Sequence, residues 1–485
     1  MMKKTFCILL IIIKDYLSYI FLKTKMYYMK YNSLFLFNNN DNNFIISINY
    51  FQKQKHAGFI RYLINHNLWI NKMNIFVLIF LLLSKSTYCT KKEDNNSTKE
   101  VKEQIKSLHL INASNDFGFN LFRKVDSLSY NTNVLVSPFS ALQALSMTYN
   151  GADKDTKQAM ANTLGFANFS QEEINDYNLS LTNALLSADE NVRMEIANSI
   201  WYRKKYVIEK DFIDINKKYF NAEVEEANFD DPKTVDIINN WCSDKTHGKI
   251  NKIIDQIPSD AIMYLINAIY FLASWQYAFD KTQTTETQFW LEDGSYKMHQ
   301  QMSLQAELFY YTDDKLSIVE LPYGNGKFSM VLILPNNKGK ISDIIKSLND
   351  NNWANLLSKM QVKNTIVKIP KFKLEYNSIL NQPLKDMGMR IAFSDLADFT
   401  KINKDGNLSI SKVYHKTYID VYEEGTEAAA VTAVEIRLTS INEPSDIQYF
   451  VADHPFIYAI IEKTTGVILF IGKEMDPTIK NAELK

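Results

Sequence analysis

Apolar and polar positions follow two different rhythms along this chain. In its first half the spacing is helical. "NDFGFNLFRKV" groups Phe117, Phe119, Leu121, Phe122 and Val125. Helical patterns also run through "PFSALQALSMTYN", "DTKQAMANTLG", "EEINDYNLSLTNALLS" and "PKTVDIINNWCSDKTHG". From the middle onward the runs have strand character: "YLINAIYFLASW", "LSIVELPYG", "KFSMVLILPN", "NTIVKIPKFKLEY", "HKTYIDVYE", "PFIYAIIEK" and "GVILFIG". Helices first and strands later predict an α+β fold, not alternating βαβ units. Several strands are apolar on both faces, so the sheets are expected to be covered or sandwiched. No linker and no internal repeat interrupts residues 107–478, which predicts a single domain there with 479–485 as a tail.

One stretch carries both rhythms. "EEGTEAAAVTAVEIRLTS", residues 423–440, is rich in alanine, which favours helix. Yet Thr426, Ala428, Ala430, Thr432, Val434, Ile436 and Leu438 fall on one alternation, while Glu427, Glu435 and Arg437 fall on the other. That is the period of a half-buried strand. Taken alone, the stretch is read either as a surface helix or as a strand with one face made for a core.

The N-terminal part follows neither rhythm. Residues 1–72 are rich in Asn, Lys, Ile, Tyr and Phe, with an apolar run at 6–13 after Lys3 and Lys4. A second run follows Lys72: "MNIFVLIFLLL", then "SKSTYC". Basic flank, short apolar centre and small residues near Cys89 read as a secretory signal over 73–89. The apolar centre is too short to span a bilayer comfortably. Either translation starts at Met73, or the first run is the signal and the rest an extension; a third reading takes both runs as buried helices. Residues 90–106 are polar and read as a solvated lead-in. Acceptor sequons stand at Asn95, Asn96, Asn112, Asn168, Asn178 and Asn407, which a secreted chain exposes to glycosylation.

Bulk composition narrows the function. The chain has 485 residues, is 46% hydrophobic and 22% charged, and carries a formal net charge of −1. This gives no electrostatic case for a nucleic-acid partner, nor for a membrane surface once the signal is removed. Of Cys7, Cys89 and Cys242, only the last lies in the body, so no internal disulfide is available there. Cys242 sits in a helical pattern without an obvious His partner and reads as a buried structural thiol. The seven histidines form no metal-binding spacing, and there is no Gly-x-Ser-x-Gly elbow. "GNGKFS" at 324–329 lies between strands and reads as a hairpin turn, not a phosphate loop. The chain is therefore read as a non-enzyme with no metal and no cofactor.

Several separated blocks together resemble the serpins, a family mostly of protease inhibitors. They are "NVLVSPFSALQALSMTYNGADKDT", "INNWCSDKTHGKI", "LINAIYFLASW", "VELPYGNGKFSMVLILP" with "IPKFKLE", "KVYHKTYIDVYEEGTEAAAVT", and "FVADHPFIYAII" with "GVILFIGK". Departures are local. Leu272 and Ala273 stand where the family usually has Lys-Gly, Cys242 where it has an aliphatic residue, and Gln301-Met302 where it has Met-Met.

The resemblance implies a serpin fold: helices packed on a large mixed sheet, further smaller sheets, and an exposed reactive loop at about 423–445. It implies inhibition of a serine endopeptidase as a suicide substrate, the cleaved loop inserting into the main sheet as a strand. Glu423, Glu424, Gly425, Thr426, Glu427, Ala428, Ala429 and Ala430 match the loop hinge. Ser137, Ser140, Asn267 and His415 match the place where central strands part, with a neutral His expected to hydrogen-bond the Ser and Asn groups. Trp275 and Glu423 match the top of that gap. Family spacing puts the reactive bond at Thr439–Ser440, with Leu438–Thr439 and Arg437–Leu438 as alternatives. These imply elastase-, chymotrypsin- and trypsin-like targets respectively. The competing function is a non-inhibitory member acting as carrier, storage protein or chaperone, but residues 425–433 contain no bulky, charged or proline break apart from Glu427. The acidic stretch 171–190 offers no basic cluster for a glycosaminoglycan. A secreted, extracellular monomer is expected, with some hazard of loop–sheet polymerisation.

Overall fold

The structure is a computed structural model and describes residues 94–129, 131–336, 341–426 and 447–484. Six longer helices lead: α1 (Asp94–Leu128), α2 (Pro138–Tyr149), α3 (Lys154–Leu164), α4 (Gln171–Leu186), α5 (Lys210–Phe220) and α6 (Lys233–Lys245). Local chemistry fixes their ends. Ser137 caps α2 by accepting the Ser140 N–H, and Pro138 pre-sets its first turn. Ser170 and Glu173 form a reciprocal capping box on α4. Gly165, at φ 75°, ends α3 in the left-handed conformation.

The strands are β1 (Val134–Val136), β2 (Val192–Arg203), β3 (Glu223–Ala227), β4 (Met263–Ser274), β5 (Thr285–Trp290), β6 (Tyr296–Thr312), β7 (Leu316–Tyr323), β8 (Phe328–Pro335), β9 (Gln361–Pro370), β10 (Phe372–Ile379), β11 (Tyr414–Tyr422), β12 (Gly425–Thr426), β13 (Gln448–Val451), β14 (Phe456–Glu462), β15 (Ile468–Glu474) and β16 (Asn481–Leu484). One sheet runs β1-β15-β14-β8-β7-β6-β9-β13, with β5 added on β6. The main sheet runs β16-β10-β11-β12-β4-β2-β3. The fold is α+β, as expected.

β12 is antiparallel to both its neighbours, so β11 and β4 run parallel to each other. The two are bridged by Gly425 and Thr426 alone, and no ladder joins them directly among the described residues. The main sheet therefore has a seam, filled only at one end.

The two faces of that sheet are buried differently. Ile269, Phe271 and Ala273 of β4 join the large core shared with the second sheet and α2. Tyr264, Ile266 and Ala268, of opposite parity, join a separate core with Ile238 and Cys242 of α6. Thus α6 and the segment after it roof the outer face.

Each helical and strand segment read from the sequence forms its element. The hairpin reading at 324–329 also holds, since Tyr323 pairs with Phe328 across the turn. Cys242 is a buried free thiol whose pKa burial pushes up to about 12. From Asp94 the polar lead-in is helical, as the first turns of α1. One expectation at the end needs revision. The supposed tail is not a tail over Asn481–Leu484: β16 pairs parallel with β10, and Ala482 and Leu484 are buried. Four residues are too short a pattern to show a strand period.

Candidate functional site at the open seam

β11 is an alternating strand with every second side chain buried. It ends in a turn of only two residues, Glu423 and Glu424, because Tyr422 already pairs with Gly425. The chain then lies flat against β4, with Gly425 opposite Ser274 and Thr426 opposite Ala273. A Cβ at 425 would lie 2.1 Å from the Ala273 carbonyl oxygen, so only glycine permits this approach.

The turn is held by side chains from four other segments. Glu423 is 3% exposed. Its carboxylate accepts from Lys371 Nζ at 2.8 Å and from Thr284 Oγ1 at 2.8 Å, and its carbonyl accepts the Phe279 N–H at 2.9 Å. Burial works to raise the Glu423 pKa, but these hydrogen bonds outweigh it and hold the carboxyl below its ordinary value. Glu424 pairs with Lys281, and its carbonyl accepts the Trp275 N–H at 2.9 Å. The Trp275 indole donates to the Tyr422 carbonyl at 2.9 Å and stacks on Tyr323, ring centres 4.3 Å apart. Thr426 is 2% exposed, its hydroxyl 2.6 Å from that of Tyr323. The turn is clamped, and Thr426, the residue after the glycine, is inside the sheet.

Further down the seam the expected polar set is only partly assembled. His415 is buried, and burial lowers its pKa to about 4, so the ring is neutral near pH 7. Its Nε2 accepts the backbone N–H of Ser137 at 3.0 Å. The Ser137 hydroxyl instead donates to the Leu469 carbonyl at 2.7 Å and accepts from the Ser140 N–H at 3.2 Å. Asn267 does not bond His415. Its Nδ2 donates to Asn198 Oδ1 at 2.9 Å across the β2–β4 pair, and its own Oδ1 is buried without a partner. The expected His–Asn bond fails because these residues sit on strands that the seam holds apart.

Other expected sites fare differently. Glu427, Ala428, Ala429, Ala430, Arg437, Leu438, Thr439 and Ser440 lie outside the described residues, as do residues 1–89 with the signal. Asn168 and Asn407 are exposed and Asn112 half-buried. Asn95 and Asn96 fall in the first turn of α1. Asn178 must be withdrawn as a glycan acceptor. It is fully buried, with Oδ1 accepting from Gln143 Nε2 and Nδ2 donating to the Ile174 carbonyl, so a glycan there is incompatible with this fold. Thr284, Tyr323 and Lys371 had no local signal; each comes from a different part of the chain and meets the 423–426 turn only in three dimensions.

The main sheet thus has a seam between β11 and β4, filled at one end by Gly425 and Thr426. The sequence profile of the family "Serpin (serine protease inhibitor)" matches residues 112–477, and the chain belongs to the serpin family. Intracellular coagulation inhibitor 2 of Tachypleus tridentatus is 33% identical over 410 residues, covering 83% of this chain and 98% of that protein. The native-state crystal structure of the thermophilic serpin tengpin superposes with a TM-score of 0.69 at 36% identity, covering 76% of this chain and 94% of that one. Human thyroxine-binding globulin superposes with a TM-score of 0.70 at 26% identity, covering 77% and 100%. No helix among the described residues is long and apolar enough to cross a membrane.

Proposed function

We propose that this protein inhibits serine endopeptidases as a suicide substrate. The protease attacks the loop after β12, most readily at Thr439–Ser440, and the loop then fills the seam before the acyl-enzyme is hydrolysed. The observation that supports this reading most is the register of β12. Continued in step, it places Ala428 between Ile419 and Phe271, Ala430 between Thr417 and Ile269, and Thr432 between His415 and Asn267. The core-side face then receives small residues where neighbours are large, and a hydroxyl where Asn267 has an unpartnered oxygen. The opposite face receives Ala429, Val431 and Ala433 opposite Tyr270, Ala268 and Ile266, the latter two beneath α6. Smallness on both faces is what allows passage between strands and under a helix.

The energies have the required size. Burying Val434, Ile436 and Leu438 is worth about 1.5–3 kcal/mol each. New ladder hydrogen bonds add about 0.5–1.5 kcal/mol apiece. Removing one oxyanion donor costs a protease ~3–4 kcal/mol of transition-state stabilisation, enough to stall deacylation. The inhibitor itself supplies no catalytic group. The same reading takes the protein as a monomer secreted through the signal at 73–89.

The test is to mix the protein with elastase, chymotrypsin and trypsin in turn. A covalent complex on a denaturing gel is expected, and the mass of the released C-terminal peptide gives the bond. Cleavage without complex across a wide panel would overturn inhibition. It would favour the carrier reading, to which the likeness to thyroxine-binding globulin lends weight.

A further inference from the structure

Glu474 ends β15 and is fully buried. One carboxyl oxygen, Oε1, accepts from Asn133 Nδ2. The other, Oε2, is buried with no hydrogen-bond partner among the described residues, and the hydroxyl of Tyr458, buried on the neighbouring β14, has none either. No cation pairs with the acid among those residues. Lys473, the residue before it, points to the opposite face of the strand and is held by Asp126 Oδ1 at 2.8 Å and the Ser129 carbonyl at 3.1 Å. The charge that does reach Glu474, from Asp476, is of the same sign, and the Asp476 carboxylate is itself occupied by the N–H and hydroxyl of Thr478. Burial first, then this like charge, hold the Glu474 carboxyl well above its ordinary value against the pull of the Asn133 bond. An unpaired carboxylate is costly in such a place; a neutral acid is far less so.

Asn133 ties the acid to the end of the chain. Its Nδ2 has two hydrogens and three acceptors: Glu474 Oε1, the Asp476 carbonyl at 2.8 Å and the Ile479 carbonyl at 3.4 Å. Its Oδ1 accepts the N–H groups of Met475 at 2.7 Å and Asp476 at 3.0 Å. Asn133 thus fastens the turn that leads from β15 into β16. A charged oxygen is a much stronger acceptor than a neutral one. An ionised Glu474 would draw the Asn133 hydrogens away from the carbonyls of that turn.

We propose that Glu474 is a built-in proton site: the folded chain holds it as the neutral acid, with the proton on Oε2, and that proton leaves Asn133 free to fasten residues 475–484. Folding then takes up one proton that the unfolded chain, with a glutamate of about 4.3, has released at neutral pH. The stability that this residue contributes is full below the unfolded value and falls as pH rises above it, until the folded value is passed. None of this depends on the inhibitory reading.

The test compares the full chain with Glu474→Gln, which keeps the shape and a neutral acceptor for Asn133. Denaturant unfolding of each is followed from pH 5 to pH 8. Every other titrating group is common to both proteins, so the difference belongs to residue 474. The unfolding constant of the native chain is expected to rise against that of the variant by up to about tenfold per pH unit. A ratio that does not change with pH would overturn the neutral acid. Should the variant fail to fold, carbon NMR of the native chain labelled at the glutamate carboxyls decides. One signal is expected to keep the position of a protonated acid at pH 7, and its absence would overturn the proposal. Hydrogen exchange tests the link through Asn133. Amides of residues 475–484 are expected to exchange alike in the two proteins while the acid signal lasts, and faster in the native chain once that signal moves to the carboxylate position. Faster exchange before that point, or equal exchange after it, would overturn the link.

Discussion

Thr426 is the last residue of β12, buried against Tyr323 and paired with β4. Thr426→Arg places a charge where a small hydroxyl fits, and burying an unpaired charge is costly. The expected outcome is a switch from inhibitor to substrate: cleaved protein rises and covalent complex falls at least tenfold on a gel. His415 makes a second prediction at this scale. Its folded pKa, about 4, lies below the unfolded value of roughly 6.5. Between these values the unfolded chain binds the extra proton, so stability falls as pH drops through that window, by on the order of 3 kcal/mol at most. Denaturant titrations at pH 7 and pH 4.5 are expected to show this loss, and His415→Gln to flatten it. Glu474, whose carboxyl is fully buried and raised well above its ordinary value mainly by that burial, acts in the opposite sense and remains in both proteins. The family resemblance marked the turn at 423–426, and the structure holds Gly425 and Thr426 there as β12; residues 427–440 lie outside the described residues. The clamp on that turn was not legible in the sequence, because Thr284, Tyr323 and Lys371 are contributed by the segment before β5, by β7 and by the β9–β10 junction. The His415–Asn267 bond was expected from resemblance and fails because strand separation is invisible in a sequence.

At the scale of elements, the seam and its roof act together. α6 seals the outer face through Ile238 and Cys242 against Ile266 and Ala268. Any strand entering the seam must fit beneath it. Ala433→Trp changes a position away from the large core, one that surface reasoning would treat as harmless. Stepping β12 forward puts it opposite Ile266, so the account expects loss of complex and gain of cleaved product. Val434→Ala, on the core-side face, is expected to slow insertion less. Stopped-flow fluorescence during complex formation measures both. Long periodic elements such as α2, β4, β8 and β14 were readable from sequence. β2 was not, since its burial changes parity midway, and neither was β6, whose seventeen residues mix exposed and buried positions without one period.

For the whole molecule, the central claim is that the fold is held short of its most stable arrangement, with one strand stored outside the sheet. Cutting an exposed loop in an ordinary protein leaves stability unchanged or lowers it. On the proposed reading, cutting frees residues 427–440 to enter the seam between β11 and β4. The most direct measurement is thermal unfolding of the intact protein beside the same protein cleaved within 434–440. The account predicts that the cleaved form melts well above the intact one, by 10 °C or more on the order implied by several kcal/mol of new burial and hydrogen bonding. A cleaved form that melts at or below the intact temperature would contradict it.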